Sequence, residues 1–188
     1  EEKILTAGEK ALKLEARLYA DLLDVLLQNI SKLKKISSAI ALLDCLVAFA
    51  TVAKERRYCR PQIIASSGRL MISEGRHPRV EAICKERFVP NDTLLDNEDN
   101  RSAVITGPNM AGKSTYMRQV ALIVLMAHIG CFVPARAAEI PVTDRIFTRV
   151  GASDNLIFDQ STFMVEMTEV ASILLHATKD SLLILDEV

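Results

Sequence analysis

One stretch restricts this chain more than any other: Gly107-Pro108-Asn109-Met110-Ala111-Gly112-Lys113-Ser114, with Thr115 next. Two glycines five residues apart, followed at once by lysine and a hydroxyl residue, fit the phosphate-loop pattern G-x-x-x-x-G-K-[ST] in full. A chance match in a chain of this length has a probability of roughly one in a hundred on average residue frequencies. The flanks strengthen it, since apolar Ala103–Thr106 reads as a strand before the loop and Lys113–Ile129 as a helix after it. Glycines let the backbone curl so that its N–H groups face an anion, and the helix start adds a favourable dipole. In that geometry Lys113 neutralises the β- and γ-phosphates, and the Ser114 hydroxyl ligates Mg²⁺.

A second element completes the chemistry. Leu182-Leu183-Ile184-Leu185-Asp186-Glu187 is an apolar strand ending in two acids. Many buried strands end in an acid, so alone this says little. Downstream of a phosphate loop it reads as the metal-binding strand, with Asp186 holding the Mg²⁺ shell and Glu187 polarising the attacking water.

The rest of the chain divides at Pro61. Residues 1–60 contain no proline and a single glycine, Gly8. Apolar residues recur at sevens, Leu5, Leu12, Tyr19, Leu26, Leu33, Ile40 and Val47, which predicts helix sustained over several heptads. Gln28-Asn29-Ile30-Ser31 is the weakest stretch, so a bend or boundary is expected there, with Ser31 as an N-cap. The pattern suits a long lever as well as an ordinary packed hairpin. After Pro61, Gln62–Ile72 suggests short strands and a turn, and Glu86–Asn100 is a polar stretch whose acidic run Asp96–Asp99 is a surface loop. Arg145–Val150 reads as a strand and Ser161–Thr178 as a helix. Strands alternating with helices point to an α/β sheet domain.

Composition excludes several classes. With 49% hydrophobic and 25% charged residues the chain can build a core. A formal net charge of -1 argues against gripping DNA by bulk electrostatics. The clusters Lys32, Lys34, Lys35 and Arg56, Arg57, Arg60 read as solvated helix surface. Cys45, Cys59, Cys84 and Cys131 form no CxxC pair and no zinc spacing, so they read as buried thiols of a reducing compartment. Apolar Val120–Ile129 is too short to span a bilayer, and the charged N-terminus carries no signal-peptide pattern. A cytoplasmic protein is the default, with His128 and the methionines outside the loop expected in the core.

Four segments in order, EGRHPRVE (Glu74–Glu81), TGPNMAGKSTYMRQVALI (Thr106–Ile123), DRIFTRVGASD (Asp144–Asp154) and NLIFDQSTFMVEM (Asn155–Met167), resemble the MutS family of DNA mismatch-repair proteins. The bacterial mismatch-recognition type is most similar, and the resemblance covers essentially the whole chain. It implies an ABC-type P-loop ATPase sheet domain over 62–188, incomplete at its C-terminus. A long-helix lever and core segment over 1–61 would precede it. It implies ATP/ADP and Mg²⁺ as cofactors, and a homodimer or family heterodimer that shares its ATPase sites. Ser161 matches the signature serine that contacts the partner's ATP in trans. Phe88 and Val89 match the residues that sandwich adenine, although a plain loop hydrophobe is the other reading of Phe88. Asn109 matches a side chain near the γ-phosphate. Mismatched double-stranded DNA would be bound through domains outside this chain, a MutL-type repair protein would be a partner, and no membrane is involved. The setting would be the bacterial cytoplasm, associated with the nucleoid.

This chain departs from the family pattern at Phe158 and Asp159, where relatives carry a small residue and glycine, and at Arg79, where a small apolar residue is usual. The isolated chain is expected to hydrolyse ATP at best slowly. Other readings are a MutS-like paralogue acting in recombination or on stalled ribosomes, a transport ATPase half, and a simple kinase. The second predicts LSGGQ, which is absent, and the third does not need the helical arm.

Overall fold

The computed structural model describes residues 2–65, 68–84, 88–149 and 162–186. In chain order the elements are α1 (Glu2–Glu55), β1 (Gln62–Ile64), β2 (Leu70–Gly75), α2 (Pro78–Ile83) and β3 (Asn91–Leu95). Then come α3 (Lys113–His128), β4 (Ala137–Pro141), β5 (Ile146–Arg149), α4 (Thr162–His176) and β6 (Leu182–Leu185). Contacts divide the chain into two compact units, Glu1–Ala48 and Phe49–Val188.

The first unit is helix throughout. The expected bend at residues 28–31 is absent, and Ser31 is not an N-cap, because α1 runs through the stretch without interruption. Asn29 folds its amide back onto the Val25 carbonyl at 2.9 Å, one turn earlier, so a residue with a weak helix preference is held inside the helix. The heptad residues Tyr19, Leu26, Leu33 and Ile40 are exposed, and so are Leu14, Leu18, Val25, Leu27 and Leu42 between them. A helix apolar on more than one face belongs inside a larger body. By length and composition alone, α1 also contains a window apolar enough to cross a membrane, a test that buried core helices pass equally.

The second unit is α/β. A four-stranded sheet has the order β1-β4-β2-β3, parallel between β1 and β4 and antiparallel elsewhere. A second, two-stranded sheet pairs β5 with β6 in parallel, Thr148 opposite Ile184. Helix α3 touches both β2 and β6. Its Val120, Ile123, Val124 and Ala127 are buried among Leu70, Ile72, Val133, Ala138 and Ile140, with Ile146 and Leu182 packed at the margin. The burial of Gln119, Val120, Ile123, Val124 and Ala127 follows the helical period, which is why the sequence marks this helix so clearly.

Three further expectations are corrected. Ala103–Thr106 forms no strand: it has no ladder partner among the described residues, and Val104 is 89% exposed. A short apolar run becomes a strand only where a neighbouring strand accepts its N–H and C=O groups. The acidic run Asp96–Asp99 is outside any helix or strand, as expected, and β3 lies just before it because Thr93 and its neighbours find β2 as an antiparallel partner. Among the cysteines, all free, only Cys131 is buried, while Cys45 and Cys84 are exposed and Cys59 is half-buried. His128, Met164 and Met167 are likewise exposed rather than core.

Candidate phosphate site

The loop before α3 has the backbone the motif requires. Met110 (φ 63°) and Gly112 (φ 93°) both lie in the left-handed region. At Gly112 the requirement is conformational and not steric, since a Cβ there would meet nothing within 4 Å. A turn from the Ala111 N–H to the Pro108 carbonyl at 3.3 Å closes the loop. Gly112 is the N-cap of α3 and supplies no side-chain cap bond, so the first-turn N–H groups are left for a ligand at the positive end of the helix. The Lys113 ammonium turns back over the loop and donates to the Gly107 carbonyl at 2.6 Å and the Pro108 carbonyl at 3.2 Å. The lysine cation is thereby held against the loop carbonyls at the start of α3. Asn109 and Met110 are exposed, whereas Ser114 and Thr115 are half-buried on the first turn.

Asp186 comes to the same helix. It follows β6 and is only 6% exposed, and its carboxylate lies 4.0 Å from the Arg118 guanidinium on α3. Arg118 is four residues after Ser114, so the two share a helix face one turn apart. The Asp186 backbone is fixed on both sides by the neighbouring strand: its N–H donates to the Arg149 carbonyl at 2.8 Å, and Arg149 Nη1 donates to its carbonyl at 3.1 Å. Asp186 therefore lies beside α3, the helix whose first turn carries Ser114.

Phe88 is half-buried and Val89 is 75% exposed, just before β3. Tyr116, in the first turn of α3, shares a hydrogen bond with the Thr93 hydroxyl at 2.9 Å and donates to the Asp92 carbonyl at 3.1 Å. The strand that follows Phe88 and Val89 is therefore tied to the start of the phosphate-loop helix. Ser161 and Glu187, with Phe158 and Asp159, lie outside the described residues.

Beside α3 opens a groove of about 1070 Å³, lined by Arg56, Tyr58, His77, Arg79, Thr115 and Arg118 among others. His77 caps α2, its Nδ1 accepting from the Val80 N–H at 3.3 Å. Burial pushes the His77 imidazole below its ordinary value, and the charges of Arg118 and Arg79 push it the same way. Tyr58 is pushed up by burial and by Glu81, against the opposing charges of Arg56 and Arg76. Sequence reading missed Arg118, Tyr116 and His77 as parts of this neighbourhood. Only the Ser114–Arg118 spacing of four could have signalled one of them.

Residues 103–188 match the family model described as MutS domain V. The whole chain is 56% identical to the DNA mismatch repair protein MutS of Ruminiclostridium cellulolyticum, of which it covers 22%. It is 54% identical to that of Lachnoclostridium phytofermentans (20% covered) and 53% to that of Caldicellulosiruptor saccharolyticus (22% covered). The chain belongs to the MutS family. It spans about a fifth of the length of these relatives, and the loop, α3 and the β6 acid all fall inside the part matched to MutS domain V.

Proposed function

We propose that this chain is the ATP-binding and hydrolysing region of a DNA mismatch-recognition protein, in which ATP binding at a dimer interface moves the DNA clamp. Residues 62–188 would be an ABC-type P-loop ATPase domain and 1–61 the lever that joins it to the DNA-holding parts. The observation that carries the reading is the left-handed Gly112 loop with its lysine at an uncapped helix start, on a helix whose Arg118 meets the buried Asp186.

The residues present suit ATP with Mg²⁺. Gly107–Ser114 and Thr115 would cradle the phosphates, with Lys113 as the neutralising charge and Asn109 near the γ-phosphate. Ser114 and Asp186 would hold Mg²⁺, which supplies charge neutralisation across the β- and γ-oxygens when bound. Glu187 would orient the attacking water, and Phe88 and Val89 would hold the adenine. Ser161 would reach the partner subunit's nucleotide. A homodimer or family heterodimer, mismatched double-stranded DNA and a MutL-type protein are the partners this reading requires, in the cytoplasm of a bacterium. Coupling between the nucleotide and DNA sites needs two states that ATP binds unequally. The relatives compared all bear a mismatch-repair name, and no observation favours the paralogue reading.

The test is equilibrium binding of a fluorescent ATP analogue to this chain and to its Lys113→Met variant. Loss of a charge-assisted contact worth about 1.5–3 kcal/mol predicts roughly ten- to hundredfold weaker binding. Equal affinity would remove the phosphate-site reading.

A further inference from the structure

A carboxylate as buried as Asp186 needs a positive partner, because taking an unpaired charge out of water is costly. Among the described residues the Arg118 guanidinium makes an ion pair with it, with side-chain exposures of 8% for the acid and 52% for the base. Side chains on a helix lean toward its N-terminus, and Arg118 stands one turn after Ser114 on the same helix face. The Asp186 backbone is held by two hydrogen bonds to Arg149. The guanidinium, by contrast, is half in solvent and lines the groove with Thr115, Leu122 and His77. At 4.0 Å the pair is longer than the 2.7–2.9 Å of a charge-assisted hydrogen bond, so attraction holds the Arg118 head without locking it.

We propose that Arg118 is a counter-ion of Asp186 and competes with a divalent cation for that carboxylate. Metal binding then requires the guanidinium to swing off Asp186 into the groove. The carboxylate keeps a positive neighbour in both states, the arginine before the metal arrives and the metal afterwards. The proposal rests on the nucleotide-site reading above, and it adds a residue that sets how readily the site takes its metal.

Two measurements on the 188-residue chain test it. Thermal melts without metal compare wild type, Arg118→Gln, Asp186→Asn and the double variant. A real pair predicts that Arg118→Gln lowers Tm in the wild-type background but not in the Asp186→Asn background, and additive effects overturn it. Electron paramagnetic resonance then follows Mn²⁺ binding with ADP present. Competition predicts that Arg118→Gln lowers the Mn²⁺ half-saturation concentration roughly two- to fivefold, the range of a part-exposed ion pair. An unchanged or raised value overturns the proposal. If wild type binds no Mn²⁺ with ADP while the melts show coupling, the nucleotide reading fails and the competition with it, but the pair itself stands. Should Arg118→Gln melt without cooperativity, Arg118→Met, which keeps an unbranched stem, carries both tests.

Discussion

Tyr116 shows how one hydroxyl can set the spacing of a site. Its ring lies at the edge of the buried cluster, and its oxygen bridges the Thr93 hydroxyl and the Asp92 carbonyl on β3. Thr93 is buried, so removing its partner leaves a polar group with nowhere to turn. Tyr116→Phe is expected to cost about 0.5–1.5 kcal/mol, seen as a lower urea midpoint with an unchanged slope. A changed slope would mean that the substitution alters how much surface unfolding exposes, and the local account would fail. Gly75 makes a related point from the other side of the contact. A Cβ there would stand 2.8 Å from the Gln119 amide on α3 and 3.1 Å from the Asn91 carbonyl. A side chain at that position would have to displace the buried Gln119 amide and press on the β3 backbone, and the sequence alone offered no reason for glycine there.

At the scale of elements, α2 is the piece whose stability depends on a titrating group. Six residues are too few to hold as a free helix, so the His77 cap and Pro78 in the first turn matter. His77 accepts through Nδ1, which requires that nitrogen to be unprotonated, and burial has already lowered its pKa from 6.5. The unfolded chain therefore binds the proton more readily than the folded one. Stability from this residue is complete above pH 6.5 and is lost as pH falls below it. His77→Asn keeps a capping acceptor and cannot titrate, so its urea midpoint should be flat between pH 7.5 and 5.5 while wild type declines. Parallel declines would place the effect elsewhere. Two carboxylates act in a lower window. Asp96, held to about 2 by hydrogen bonds from Asn100 and Glu98, and Asp144, lowered first by the Ser181 hydroxyl, contribute stability above about pH 4 that fades on further acidification.

The same elements show what the sequence could reveal. Helix α3 and strand β6 were legible because their apolar residues follow a strict period or run, and the phosphate loop because its residue types are dictated by backbone geometry. Strand β4 and β3 were not, since Ala137–Pro141 and Asn91–Leu95 carry weak patterns and owe their state to β2 lying between them. Ala103–Thr106 failed in the opposite direction, with a good local pattern and no partner strand. At the candidate site, motif spacing singled out Lys113, Ser114 and Asp186, while the Arg118–Asp186 contact became visible only when β6 was set against α3.

For the whole molecule, the proposed function has a second subunit complete the site, and Ser161 is the residue that tests it. A chain that spans a fifth of its relatives' length leaves that test to the full-length protein. A hydroxyl aimed at a terminal phosphate binds ATP better than ADP, and only such a difference can drive a conformational switch. Ser161→Ala is therefore expected to spare nucleotide binding by each subunit and to weaken ATP-dependent dimer closure. The loss should be that of a hydrogen bond to a charged group, about 1.5–3 kcal/mol. Mixed dimers separate the arrangements: one subunit carries Lys113→Met and the other Ser161→Ala. If Ser161 acts in trans, both defects fall on one composite site and the second site stays whole, so ATP hydrolysis persists at about half the wild-type rate when the sites work independently. If it acts in cis, each site carries one defect and hydrolysis falls to the level of the impaired homodimers. That second result would make Ser161 a local residue at the start of α4, and a shared ATPase interface would no longer explain how ATP reaches the clamp.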